Sequence, residues 1–410
     1  NADGSATFCM LAPGKESVVL RGSWNDYKIV PEQQMNYTDT SDGMRYFWTT
    51  VSGVADGTDK IYYYLVDHQM EVGDAWAKLV LDADNDKTIS ASVFPDMPVY
   101  PPRLVNSTMV PQSNIPLAVY NSDADKYDWE VSDFKGVAPS DLIIYELLVR
   151  DFTGTEGQKK GNGTIRQAID KLDYIKALGV NAVELMPVME FSGNQSWGYN
   201  PNFYFAPDKA YGTPDDYRQF VDECHKRGMA VIIDVVFNHA DGWHPWFNMY
   251  PPVTSPVFNA FGSAPHDYTV FNDWKQESAM VELQFEEALK YWLTAYKVDG
   301  FRFDLVKGLG YNDSYDNPTY DAAINEWGKP SNLADLTNKY NASRVERMKK
   351  LHEAMRTVNP DAYFINENLA GAQEENEMAT DGELNWANIN YSSCQFAMGY
   401  QQDASPVSYT

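Results

Sequence analysis

Met229-Ala230-Val231-Ile232-Ile233-Asp234-Val235-Val236-Phe237 is apolar at every position but Asp234. A strand with one wet face alternates apolar and polar residues. An unbroken apolar run instead reads as a strand buried on both faces, as in a parallel sheet covered by helices. Leu142-Ile143-Ile144-Tyr145, Ala182-Val183-Glu184-Leu185-Met186, Gly300-Phe301-Arg302-Phe303-Asp304 and Ala362-Tyr363-Phe364-Ile365 read as further strands. Helix-like segments at 164–178, 214–227, 278–297 and 342–358 separate them. In the first, Ile165, Ile169, Leu172 and Ile175 recur at helical spacing. Repeated strand–helix units over 141–410 predict an α/β fold whose parallel sheet is either open and doubly wound or closed into a barrel. The Pro-, Trp- and Phe-rich stretch at 240–275 reads as a small insertion after the third strand.

Residues 1–100 have another rhythm. Ala6-Thr7-Phe8-Cys9-Met10-Leu11, Ser17-Val18-Val19-Leu20, Arg45–Val51 and Lys60–Val66 read as strands. Pro13-Gly14, Asp42-Gly43 and Asp56-Gly57 mark turns between them, which predicts a small all-β, immunoglobulin-like sandwich. Residues 101–140, with Pro101, Pro102, Pro111 and Pro116, are expected to be a linker on the surface.

The 410 residues carry a net charge of −26. Such a surface repels a phosphate backbone, and no Lys/Arg cluster offsets it, so nucleic acid is excluded as a partner. No run reaches the roughly 18 apolar residues of a membrane-spanning helix. Three widely separated cysteines give neither a disulfide framework nor a paired zinc motif, and the six histidines include no HExxH pair. Aromatic residues reach 14%, with 27 Tyr and 11 Trp, a composition that suits sugar stacking and an aromatic core alike. The acidic surface and a start that looks processed point towards an exported protein, and oligomeric state is not legible.

Polar residues gather at predicted strand ends: Asp234, Asn238 and His239 after one strand, Arg302 and Asp304 on the next, Glu367 after the following one. In a β/α barrel those ends carry the active site. Arg302 and Asp304, two apart, share a face, and Phe301 and Phe303 point to the helices. Three chemistries compete for this pattern. A buried ion pair explains Arg302 with Asp304 alone. A metal held by Asp234, His239, Asp304 and Glu367 would have to tolerate Arg302 competing for the same carboxylates. Paired carboxylates flanking a sugar bond make a glycosidase.

Asp234-Val-Val-Phe-Asn238-His239, Gly300-Phe-Arg302-Phe-Asp304-Leu-Val-Lys307 and Asn366-Glu367 resemble, in order, the first three sequence regions of the α-amylase superfamily, glycoside hydrolase family 13. Glu184-Leu-Met-Pro-Val-Met-Glu-Phe and Trp197-Gly198-Tyr199-Asn200-Pro201 resemble its second-strand region. The N-terminal Val18-Val-Leu-Arg-Gly22-Ser-Trp24-Asn25-Asp26-Tyr27 and Asp74-Ala-Trp76-Ala-Lys78 are similar to carbohydrate-binding module family 48. The resemblance implies a (β/α)8-type barrel preceded by the sandwich. It implies Asp304 as nucleophile, held ionised and aimed by Arg302, with Glu367 as general acid/base. Asp234 would bond the arginine, His239 the reacting sugar's 6-hydroxyl, and Tyr199 would lie under that sugar. Lys307 would line the leaving-group side.

Two departures stand out. Gly308 replaces a histidine common in α-amylases, and Asn368 has no family role. No cofactor is needed for the chemistry. A structural calcium ion at Asn238 is an implied option, for which Asp241, Asp267 and Asp273 are candidate ligands that read better as solvated surface acids.

The expected activity is retaining hydrolysis of α-1,4 bonds in an α-glucan such as starch, glycogen or a maltooligosaccharide. Glucan branching, α-1,6 debranching and non-catalytic starch binding are the alternatives. Only five strong strands precede residue 370, with Asn385-Trp386-Ala387-Asn388-Ile389 a sixth and Val407-Ser408-Tyr409-Thr410 the start of a seventh. The family's fourth region, a His-Asp pair supplying a third carboxylate, has no match. The expectation is a barrel truncated before its last strands, part of a longer protein and inactive alone.

Overall fold

The computed structural model describes residues 1–101, 115–155, 162–259, 263–318, 320–321, 326–327, 330–387 and 390–399. The N-terminal part is two antiparallel sheets. Ala6–Leu11, Arg45–Val51 and Asn36–Asp39 form one, with Arg45–Val51 in the middle. In the other, Lys60–Val66 pairs with Val18–Gly22 on one edge. Its opposite edge pairs first with Leu117–Tyr120 and then with Met70–Val72. Alternation along Ala6–Leu11 turns Phe8 and Met10 inward, where Phe8 meets Tyr62 edge-on with ring centroids 4.9 Å apart.

Leu117–Tyr120 lies inside the stretch expected to be linker, so this part of that expectation is corrected. Surrounding prolines hide a short apolar run whose Leu117, Ala118 and Val119 are buried in the sheet. Residues 121–134 then pack on the next domain. The amides of Glu130 and Val131 donate to Asp222, and the Phe134 ring stacks on His225 at 4.1 Å.

The second part is a six-stranded, wholly parallel sheet, an incomplete (β/α)8-type barrel. Its strands run Ile144–Leu147, Ala182–Leu185, Ala230–Val235, Gly300–Phe303, Tyr363–Asn366 and Leu384–Asn385, each beside the next in chain order. The sixth begins one residue before its expected start and pairs for only two residues. Asn388 and Ile389, and the stretch expected to open a seventh strand, lie outside the described residues.

The two-residue period sorts side chains to opposite faces. Val183, Leu185, Val231, Ile233, Val235, Phe301, Phe303 and Phe364 face the helices and are buried. There Phe237 stacks on Phe285 at 4.0 Å and Phe303 on Phe364 at 4.2 Å. Burying each such ring is worth roughly 1.5–3 kcal/mol. Ala182, Ala230, Ile232, Tyr363 and Ile365 form a smaller cluster on the inner face.

Helix starts follow local chemistry. Pro214–Lys226 opens with a capping box between Thr213 and Asp216, with Pro214 in the first turn. Ala342–Arg356 is capped by Asn341, whose side chain accepts from the Arg344 amide. The helix expected over 164–178 is two, Ile165–Ile169 and Leu172–Ala177. Between them the chain tightens to a three-residue bond from the Lys171 amide to the Ala168 carbonyl. Unexpected from the sequence is the hairpin of Met189–Phe191 with Pro201–Pro207. Within the 240–275 insertion, Pro245–Met249 is a short helix, and Asn272–Asp273 pairs with His239–Ala240.

The two parts dock through Trp76, which lies between Phe205 and Trp246, and through Lys209, which pairs with Asp86 of the sandwich side and with Glu190. Trp76 and its neighbour Asp74, quoted above for the module-like motif, are thus packing residues: the Asp74 carboxylate accepts from the hydroxyls of Tyr62 and Tyr64.

Candidate active site

Parallel register aligns the strand ends. Asp234 sits opposite Arg302, and Arg302 opposite Ile365, two residues before Glu367. One guanidinium therefore reaches three carboxylates. Arg302 Nη1 donates to both oxygens of Asp234 at 2.8 and 2.9 Å and to Asp304 at 3.0 Å. Its Nη2 lies 2.7 Å from Glu367 Oε2. The Trp386 ring covers the guanidinium face, 4.2 Å from centroid to carbon. Side-chain exposure rises across the cluster: Asp234 1%, Arg302 4%, Asp304 15%, Glu367 27%. The buried pair is scaffold, and the two acids beyond it face the open end of the sheet.

Three carboxylates around one cation carry a formal charge of −2 when all are ionised. Burial pushes Asp304 well above the usual carboxylate range, and its hydrogen bond with Glu367 pushes the same way against the pull of Arg302. Arg302 pulls Asp304 towards the ionised form, as expected, and burial works against it. The Leu305 amide, 3.1 Å from Glu367 Oε2, adds a fixed donor.

Tyr199 and His239 join the same network. The Tyr199 hydroxyl donates to Asp234 Oδ2 at 2.7 Å. Gly198 makes this possible: it takes φ +96°, and a Cβ there would fall 2.1 Å from the Pro187 carbonyl. His239 Nε2 is 2.8 Å from the Tyr199 carbonyl, and its Nδ1 is 3.1 Å from Asn238 Nδ2. A carbonyl only accepts, so Nε2 carries the proton and Nδ1 accepts from Asn238. Burial lowers the imidazole pKa, leaving the ring neutral. Lys307 stands apart. Its ammonium lies 5.9 Å from the Tyr268 ring centroid, without a carboxylate partner among the described residues, and burial lowers its pKa.

The residues near Asn238 do not build a calcium cage. Its Oδ1 is buried without a hydrogen-bond partner, but it is one oxygen where calcium takes six to eight. Asp273 is buried rather than solvated, with both oxygens engaged by His266 and Asn259. The one His/Cys/Asp/Glu group with metal-like spacing among the described residues is His352, Asp381 and Glu383, where Arg356 already lies 3.5 Å from Asp381. The same amide explains Gly308: a Cβ there would lie 1.7 Å from Asn238 Oδ1. Asn238 fills the space that a side chain at 308 would need.

Glu184, quoted in the sequence only as part of a strand, is a buried acid on the inner face, and its Oε1 has no hydrogen-bond partner. Burial, then the facing Glu146, push it up to about 7, with Arg302 pulling it down. A carboxyl raised in the folded state stabilises fully below its unfolded value of about 4.3, and that stability is lost as pH rises through the folded one. Glu184→Gln is therefore expected to melt nearly like the wild type near pH 4 and to be more stable near pH 8.5, by on the order of 3 kcal/mol. Thermal melts at the two pH values check this, and equal differences at both would refute it.

The family model described as alpha amylase, catalytic domain, matches residues 146–254 and 266–409, well over half of the chain. A malto-oligosyltrehalose trehalohydrolase of Saccharolobus solfataricus is 37% identical over 183 residues, 45% of this chain and 30% of that protein. The chloroplastic isoamylase SU1 of Zea mays is 35% identical over 236 residues, 50% and 29% respectively. The chain thus spans about three-tenths of the length of the curated relatives it matches. A pullulanase from Anoxybacillus sp. LM18-11, solved with maltotetraose, superposes with a TM-score of 0.61 at 22% identity over 89% of this chain and 48% of that one. That likeness is one of fold.

Proposed function

Because the chain belongs to the α-amylase catalytic-domain family, we propose that it is the catalytic part of a retaining glycoside hydrolase acting on α-glucans, with α-1,4 bonds as its target. The observation that carries this reading is the single Arg302 guanidinium shared by Asp234, Asp304 and Glu367, with only the last two open to solvent. A sugar entering between Asp304 and Glu367 separates them. Glu367 brings the proton as general acid, and Asp304, beside Arg302, is the attacking carboxylate. Asp304 then attacks the anomeric carbon as Glu367 passes its proton to the leaving oxygen. Glu367, now a carboxylate, takes a proton from water, which releases the sugar from Asp304 with its configuration retained. Tyr199 and Asp234 hold Arg302 in place through both steps.

Debranching of α-1,6 links is the second reading, favoured by the isoamylase and pullulanase among the similar proteins. The full-length protein incubated with amylose and with pullulan separates the two. New reducing ends from amylose with an α-anomeric first product support the α-1,4 reading. Turnover of pullulan alone supports the second, and α-1,6 branches formed without reducing ends would overturn hydrolysis itself.

A further inference from the structure

Behind the two acids lies a buried network with no part in the chemistry just described. Glu374, on the helix Ala372–Thr380, accepts from Arg344 Nε at 2.6 Å and Nη2 at 2.7 Å, a two-pronged pair with neither side chain exposed. Its Oε1 also accepts from Asn368 Nδ2 at 2.9 Å, and its Oε2 from the Asn341 amide at 2.9 Å. Arg344 spends its remaining donors on carbonyls: Nη1 on Lys307 at 3.0 Å and Thr337 at 3.2 Å, Nη2 on Lys339 at 3.1 Å. The Tyr315 hydroxyl donates to the same Lys307 carbonyl at 2.7 Å.

Lys307 follows Asp304 by three residues, and Asn368 follows Glu367 by one. The network therefore joins the loop after one acid to the loop after the other. Both loops need holding. Leu305 sits at φ +50° and Leu369 at φ +51°, left-handed conformations that disfavour a residue with a side chain. Without a tether each loop would relax towards an ordinary conformation and carry its neighbouring carboxyl with it. A side chain that can fill all its donors only in one loop arrangement opposes that.

We propose that Arg344, gripped by Glu374 to which Asn368 donates, is a positioning residue that sets the separation of Asp304 and Glu367. This rests on the glycosidase reading above for its catalytic consequence, though not for its structural one. A displacement of about 1 Å at a reacting centre costs on the order of 100-fold in rate. In the full-length protein, Glu374→Gln and the milder Asn368→Ala are expected to lower kcat by roughly 10- to 100-fold with KM within about threefold. Any two interacting acids titrate in two macroscopic steps, spread further apart the more strongly they interact. Loosening them should draw the limbs of the kcat/KM–pH bell together by about one pH unit, which general loss of stability would not do. Crystal structures of wild type and Asn368→Ala supply a readout independent of turnover: the distance between the two carboxyl groups is expected to grow. An unchanged distance, or unchanged kcat and bell width in both folded variants, overturns the proposal. A folded wild type without glucan turnover, but with the distance changed in Asn368→Ala, would instead overturn the glycosidase reading and leave the positioning role standing.

Discussion

Asp304→Asn is expected to lower glucan turnover by the full-length protein roughly 10⁴-fold or more, since no covalent sugar ester can form without the nucleophile. The substitution keeps the size of the side chain and its contact with Arg302 Nη1, so folding should survive. Binding of an oligosaccharide should survive too, because the exposed rim and Tyr199 are untouched. The retaining mechanism adds a distance: in a sugar-bound wild-type structure the Asp304 and Glu367 carboxyls should stand about 5–5.5 Å apart. Residual turnover within tenfold of wild type would show that another group attacks the sugar. A bound-state separation near 9 Å would point to inversion by an activated water.

Arg302→Met is expected to be the more damaging change to the fold. It keeps much of the packing under Trp386 but leaves three carboxyl groups around an empty charge position. Removing one member of a buried charge network costs about 3–5 kcal/mol. The sign of the pH dependence is fixed by the raised carboxyls. Asp234 and Asp304 already sit above their ordinary range, with Arg302 the main influence pulling them down. Without it they rise further, so stability is kept while the acids are protonated and lost as pH rises through their folded-state values. Urea denaturation should therefore find the variant close to wild type near pH 4.5, with the deficit opening as pH rises past about 7 and still growing at pH 8. An equal deficit at both values would mean that Arg302 acts through packing and not through charge. Turnover should be lost at every pH.

The sequence by itself determined the parallel sheet and the strand ends that carry the site. The run Ala230–Val235 is apolar on both faces because both faces are covered, and that requirement is local enough to be written in consecutive residues. The period of two also put Arg302 and Asp304 on one face and Phe301 and Phe303 on the other. The capping box Thr213–Asp216 is equally local. Residues 115–120 escaped because their prolines are a local signal, while their place in the sandwich depends on a partner strand more than 50 residues earlier.

Only the tertiary structure decided the rest. That a single guanidinium serves three acids depends on register between strands about 70 residues apart, which no spacing along the chain encodes. The same holds for the burial that raises Asp304, for the amide of Asn238 that reserves the space beside Gly308, and for Trp386, which covers Arg302 from just past the sixth strand. Residue types and their faces follow from short-range geometry, whereas charge state and position follow from what distant segments exclude: water, protons and one another.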